Sequence, residues 1–350
     1  MYIMWVSRFN LLPTPGAARK LAFSLTVFGL FLGFIILAIL SPTGVKGWDF
    51  YQHFQRPENY AYPGWVSTLL AHRRFQNPEN YAYPGWVSTL MSPLQLLEPS
   101  QAFATYLLLS AAALAYASYR EGMIWLLVWP VSLYGLWEGN FIPLVLFGAI
   151  VGFRLWSQDR KMSALLPFAL VLLKPHLALG FLLWLGIDIW RRRLIRIGAI
   201  ALMGLLVYAL ATIVWGAPGS RYFSGWFLQQ GFSFLSLLPV WLKVPAWALG
   251  LALLGLWLAG HANHSRLTFI AAWAWGVSLS PYFQVQDLIL FAPALSALVA
   301  KNRLWIAVLV ILGFARWLNL WLVPFASTLV AVSLLFEANS SWKKILNVPS

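Results

Sequence analysis

Apolar residues run along this chain in long blocks, separated by short polar or basic interruptions. The blocks lie near 21–40, 101–118, 123–136, 141–156, 162–173, 176–190, 194–215, 244–260, 267–280, 285–300, 303–316 and 319–336. A helix that crosses a bilayer needs about 20 apolar residues, fewer where helices are short or broken. The pattern predicts an all-α polytopic transmembrane helical bundle with about 10–12 spans. The range arises because 162–173 with 176–190, and likewise 303–336, also read as single kinked spans. No polar linker separates two membrane parts, so residues 1–350 read as a single integral membrane domain.

The longest interruption is 41–100, and it contains a near-verbatim repeat. FQRPENYAYPGWVSTLL at 54–70 returns as FQNPENYAYPGWVSTLM at 75–91, an offset of 21 residues with two changes. A solenoid would continue the period and would diverge to a pattern. This repeat does neither, so it is either a recent tandem duplication or an error of sequence assembly. Its Trp, Tyr and Pro content suits headgroup depth. WVSTLLAHRRF forms a candidate interfacial helix with Arg73 and Arg74 at the phosphates.

Composition sharpens this picture. The chain is 61% hydrophobic and 10% charged. Its mean hydropathy is +0.73. There are no cysteines, which excludes disulfides, thiolate catalysis and zinc–thiolate sites. The net charge of +14 raises the question of nucleic acid. The placement of the charge answers it. With the N-terminus inside, 16 of the 24 lysines and arginines fall in inside loops, so no nucleic-acid partner is expected. The same bias places both termini in the cytoplasm and 41–100 outside, in the plasma (inner) membrane of the cell. The first apolar block reads as a retained helix rather than a removed signal.

Unusual polar residues gather at the outside ends of the spans. GWDFYQHF carries Asp49 and His53 just beyond the first span. WEGN joins two spans through Glu138, Gly139 and Asn140. LLKPHLA places Lys174, Pro175 and His176 inside an apolar run, and proline breaks a helix at the residue before it. SPYFQVQD holds Gln284, Gln286 and Asp287, and FARWLNLW holds Arg316. Ionisable groups at membrane depth are costly and mark functional sites.

Each also has a purely structural reading. Asp49 ends a helix or pairs with Lys46, and Lys174 snorkels to headgroups. Glu138 and Asn140 satisfy a tight turn, Asp287 caps the following helix, and Arg316 meets an acidic neighbour or a headgroup. His53, His72, His261 and His264 read as interfacial or loop residues, and no ligand cluster calls for a metal or other cofactor. Taken together, the polar points describe one outward-facing cavity with a carboxylate at its mouth, cations deeper in and aromatics at the rim. Such a cavity suits a lipid phosphate, held by cations, with the carboxylate as general base on an acceptor hydroxyl.

Five short marks carry a resemblance: WDF at Trp48–Phe50, YPG at Tyr83–Gly85 with Pro93 following, GN at Gly139–Asn140, KP at Lys174–Pro175, and SP at Ser280–Pro281. In this order, on one membrane face, they resemble the GT-C membrane glycosyltransferases, and among them glycosyltransferase family 87, the polyprenyl-phosphate-mannose-dependent type. The likeness runs from the first helix to about residue 300. It implies a GT-C-like fold with a long first extracytoplasmic loop. It also implies transfer of a hexose, mannose by that resemblance, from a polyprenyl-phosphate donor to a lipid or glycan acceptor. The base role falls on Asp49. Glu138, Asn140, Tyr83, Lys174, His176, Gln284, Asp287 and Arg316 are the expected substrate-binding residues. The chain departs from the family's Tyr-Pro-Pro and Gly-Gln, having Tyr-Pro-Gly and Gly139–Asn140. The copy at 75–91 continues into the second span as the family does, so 54–70 with its AHRR connector reads as the insertion. A transporter or flippase of an amphipathic lipid-linked substrate is the alternative, since broken helices suit it equally, although no two-half symmetry is visible.

Overall fold

The computed structural model describes residues 15–40, 93–94, 97–215, 233–260, 265–281, 283–314 and 322–345. Among them all regular structure is helical, with no strand. The α-helices, in chain order, are α1 Pro15–Leu40, α2 Pro99–Arg120, α3 Pro130–Glu138, α4 Ile142–Ser157, α5 Lys161–Val171, α6 Leu179–Arg191, α7 Ile195–Trp215, α8 Val240–Gly260, α9 Arg266–Ser278, α10 Ala292–Lys301, α11 Trp305–Gly313 and α12 Leu322–Ile345.

Three of these contain a stretch long and apolar enough to cross a membrane: Lys20–Leu40 in α1, Ser100–Arg120 in α2, and all of α8. At 1.5 Å per residue, about 20 residues reach roughly 30 Å, the hydrocarbon thickness. The pair α3 and α4 passes the same test together, but bends by 115° at its break. α1 shows why the environment is lipid. Val27, Phe31, Ile35 and Ala38 form one buried stripe at helical spacing. Its other faces expose Leu21, Leu25, Leu30 and Leu37. A helix apolar all round is a helix without a water-facing side.

Two expected spans are broken up. The 123–136 block is a 3-10 turn at Ile124–Val128 followed by α3. Pro130 lacks a backbone donor and turns Trp129 extended, at ψ 128°. The 285–300 block is a 3-10 turn at Val285–Phe291 followed by α10, whose first turn holds Pro293. Proline is at home in a first helical turn and disrupts a helix passing through it, so α10 starts here and runs ten residues to Lys301. α5 and α6 are separate helices with a break between them, not one kinked rod.

Helices meet where side chains are missing. On α4, a Cβ on Gly148 would lie 2.5 Å from the Pro167 carbonyl oxygen of α5, and one on Gly152 would lie 2.1 Å from the Phe168 ring. These glycines sit one turn apart and admit α5 against the α4 backbone. At the α6–α9 crossing, Gly180 and Gly276 face each other in the same way. An aromatic cluster fills the space between α4, α6 and α9. Phe153 stacks on Phe269 at 4.4 Å, and Trp184 meets Phe269 edge-on at 4.9 Å.

Polar contacts separate to two ends of this body. One end holds the Glu121–Arg266 and Lys301–Glu337 ion pairs, and the bond from the Arg191 guanidinium to the Ala259 carbonyl. It also holds Asp188, fully buried, which accepts from Trp156 Nε1 at 2.7 Å and Arg192 Nε at 3.0 Å. Asp188→Leu leaves a buried indole N–H without this acceptor and is expected to cost about 1–3 kcal/mol. Asp188→Asn keeps an oxygen there and is expected to cost less. Heat unfolding of the detergent-purified protein compares them, and equal midpoints would show that the indole bond carries no weight.

Candidate functional site

At the other end, three helix breaks come together. The first lies between α3 and α4. Gly139 adopts the left-handed conformation, φ 72°, that glycine alone takes without strain. Its N–H reaches the Leu136 carbonyl at 3.1 Å, and the Asn140 N–H reaches the Gly135 carbonyl at 2.9 Å. This pair of bonds is a Schellman closure of α3. The Asn140 side chain is buried, and its Oδ1 accepts from the Ile142 N–H at 3.1 Å, so one residue closes α3 and starts α4. Glu138, half-buried, is the last residue of α3.

The second break follows α5. Lys174 is extended at φ −129°, ψ 79°, as the residue before Pro175 is biased to be. A 3-10 turn, Pro175–Leu177, then leads into α6. Lys174 and His176 are both buried, at 2% and 1% exposure.

The third break follows α9. Gln284 and Asp287 form a reciprocal capping box that starts the 3-10 turn at Val285, and Asp287 Oδ2 accepts from the Gln284 N–H at 2.8 Å. The cap reading of Asp287 is therefore observed. Its other oxygen, Oδ1, accepts from Lys174 Nζ at 2.7 Å, with Asp287 itself at 0% exposure. One carboxylate thus holds the third break in shape and ties it to the second.

The first break joins them by packing. A Cβ at Gly135 would sit 3.2 Å from Ile289 Cδ1 and 3.4 Å from Gln286 Cβ, so α3 lies directly on the 3-10 turn of the third break. α1 reaches the same region, with Phe34 and Trp137 rings 6.2 Å apart. The chain therefore leaves α1 on the side where α3 ends. Asp49, Tyr83 and Arg316 lie outside the described residues.

Of the expected substrate-binding residues, Lys174, His176, Gln284 and Asp287 come together around the second and third breaks, and Glu138 and Asn140 close the first. Lys174, expected as a cation for phosphate, has its charge balanced by Asp287. Ser280 and Gln286, also buried at the third break, belong to the same polar group. Their signal was the octapeptide SPYFQVQD itself. A buried ion pair is costly to form and costlier to break, which makes this region rigid unless both charges move together. Among the described residues, no three His, Asp or Glu side chains are placed to hold a metal ion. No family model, no curated protein and no solved structure matches this chain.

Proposed function

We propose that this protein is a multi-pass membrane glycosyltransferase of GT-C type, similar to family 87. It takes a hexose, mannose in this reading, from a polyprenyl-phosphate donor at the extracytoplasmic face and passes it to a lipid or glycan acceptor. The observation that carries this reading is the meeting of the second and third breaks through the Lys174–Asp287 pair, with the first packed on them. Three of the five marks of the resemblance, GN, KP and SP, lie at these breaks. Irregular backbone at membrane depth is tolerated where it is buried or lines a cavity, so three breaks in one place support a substrate site there.

In this reading Asp49 removes the proton from the attacking acceptor hydroxyl. The hydroxyl oxygen forms the new bond to the anomeric carbon as the bond to the lipid phosphate breaks, with inversion. The departing phosphate is held by Arg316, with Lys174 as a second cation pre-oriented by Asp287. Both termini are cytoplasmic, and the enzyme works in the plasma membrane.

The test is transfer of label from radiolabelled polyprenyl-phosphate-mannose in membranes expressing the protein, with Asp49→Asn in parallel. Label in a new glycolipid from the parent, falling to background with Asp49→Asn, is the expected result. Equal label from both would sink Asp49 as the base. The 115° bend between α3 and α4 favours a second reading, a transporter or flippase of a lipid-linked substrate. That reading predicts movement of a labelled lipid across vesicle membranes with no new glycolipid formed.

A further inference from the structure

The end of the body opposite the three breaks carries a different feature. A slot with about 370 Å³ of empty space, partly open to the outside, lies between α4 and α9. Leu146, Ile150 and Phe153 of α4 and Phe269 and Trp273 of α9 form its walls, and the Glu121–Arg266 ion pair lines it too. We infer that this slot seats a zwitterionic aminophospholipid. Arg266 takes the phosphate, Glu121 takes the ammonium, and the slot takes one acyl chain. This seat is independent of the reaction proposed for the other end.

The ion pair lies at headgroup depth. Glu121 is the C-cap of α2, whose stretch Ser100–Arg120 is long and apolar enough to cross a membrane, and Arg266 opens α9. Both charges therefore sit where a spanning helix leaves the hydrocarbon, beside lipid phosphates. Seven residues separate Arg266 from Trp273, and seven separate Phe153 from Leu146, so the walls run about 10 Å along both helices.

Those walls suit a hydrocarbon chain. The polar atom among the five wall side chains, Trp273 Nε1, donates to the Leu290 carbonyl at 3.1 Å, which leaves an apolar surface. The centre of a water-sized sphere has only about 20 Å³ to move in inside the slot. That width fits a single methylene chain and not a sugar ring.

The two charges select the headgroup. Glu121 and Arg266 side chains are 18% and 56% exposed, so a ligand reaches both. A pair at the surface is held weakly, and it opens to a ligand that offers each charge a partner. A phosphate presents acceptors to a guanidinium fork, and an ammonium presents three donors to a carboxylate. Phosphoethanolamine carries both groups in one headgroup. Phosphocholine has no N–H for Glu121, and an acidic headgroup is repelled by it.

The full-length protein in neutral detergent is titrated with phosphatidylethanolamine that carries a fluorophore on one acyl chain. Unlabelled phosphatidylethanolamine is expected to displace this probe. Phosphatidylcholine and phosphatidylglycerol are expected to do so about ten-fold less well, and free phosphoethanolamine not at all. Glu121→Gln is expected to erase the preference among the three lipids. That readout is a ratio within one preparation, so a loss of stability does not imitate it. Arg266→Gln is expected to weaken all three about ten-fold. Lys301→Gln, at another ion pair of this end, is expected to change nothing. A preference that survives Glu121→Gln, or binding unchanged by Arg266→Gln, would overturn the seat. So would an equal loss with Lys301→Gln, which would mean diffuse surface charge. Displacement by free phosphoethanolamine would mean a headgroup site that makes no use of the slot. Equal displacement by all three lipids from the parent would mean a surface blind to the headgroup. Either result overturns the assignment.

Discussion

Asp287→Leu is expected to destabilise the protein by about 3–5 kcal/mol, and Lys174→Met by a similar amount. Each removes one half of a pair in which both side chains are at or below 2% exposure, and strands the other charge in an apolar interior. The double variant Lys174→Met/Asp287→Leu is expected to be more stable than either single one, because an apolar pair strands nothing. It does not return fully to the parent. Asp287 Oδ2 also holds the Gln284 N–H, and losing a cap of this kind costs about 1 kcal/mol. Asp287→Asn separates the two roles, since it keeps an acceptor for the cap and loses the charge. The measurement is a double-mutant cycle on unfolding of the detergent-purified protein. Additive singles, each within about 1 kcal/mol of the parent, would show that the two charges do not form a buried pair. The double variant also decides function. A folded double variant without sugar transfer ties the pair to the reaction, and one with full transfer leaves it a structural tie.

The second large effect is steric. Gly180→Ala places a Cβ 2.1 Å from the Ala272 backbone oxygen and 2.8 Å from Gly276 Cα. Neither neighbour can rotate away, so α6 and α9 must separate, with an expected cost of about 3 kcal/mol. Gly276→Val at the same crossing is expected to cost more. Gly250→Ala is the control. Its Cβ meets only the side chain of Leu279, a flexible end that can change rotamer. Alanine also favours a helix interior over glycine by up to about 1 kcal/mol, so Gly250→Ala is expected to be near neutral. Equal unfolding midpoints for Gly180→Ala and Gly250→Ala would rule out a close backbone crossing.

These two cases also show which parts of the molecule could be read from the residues alone. Proline and glycine announce themselves, so the breaks at Gly139, Lys174–Pro175 and Ser280–Pro281 were legible, and so were most helix limits. Pro130 and Pro293 were just as visible. They were overridden by the uniform apolarity of their blocks, which hid a 3-10 turn in each. Apolar periodicity in a lipid-facing helix does not say which face meets which neighbour, because every face is apolar. The contacts of Gly148, Gly152, Gly180 and Gly276 were invisible for that reason. Asp287 was legible as a cap, a local matter of three residues. Its bond to Lys174 spans 113 positions, and no local pattern encodes it. Asp188 stands alone in LGIDIW beside the basic run at 191–193, where a single carboxylate reads as an ordinary surface charge.

That separation of 113 positions has a consequence for how the protein is made. A ribosome adds about 5–20 residues per second, so Asp287 emerges roughly 6–23 s after Lys174. Throughout that interval the ammonium has not yet met this carboxylate, while the helices between them are made. The Trp129 indole waits longer for the Leu309 carbonyl, 180 positions on, and Glu121 waits 145 positions for Arg266. The early helices are thus held in a provisional arrangement that only the last third of the chain can lock. A ribosome that stalls between residues 174 and 287 leaves Lys174 without Asp287, so the unfinished chain differs chemically from the finished one at this tie.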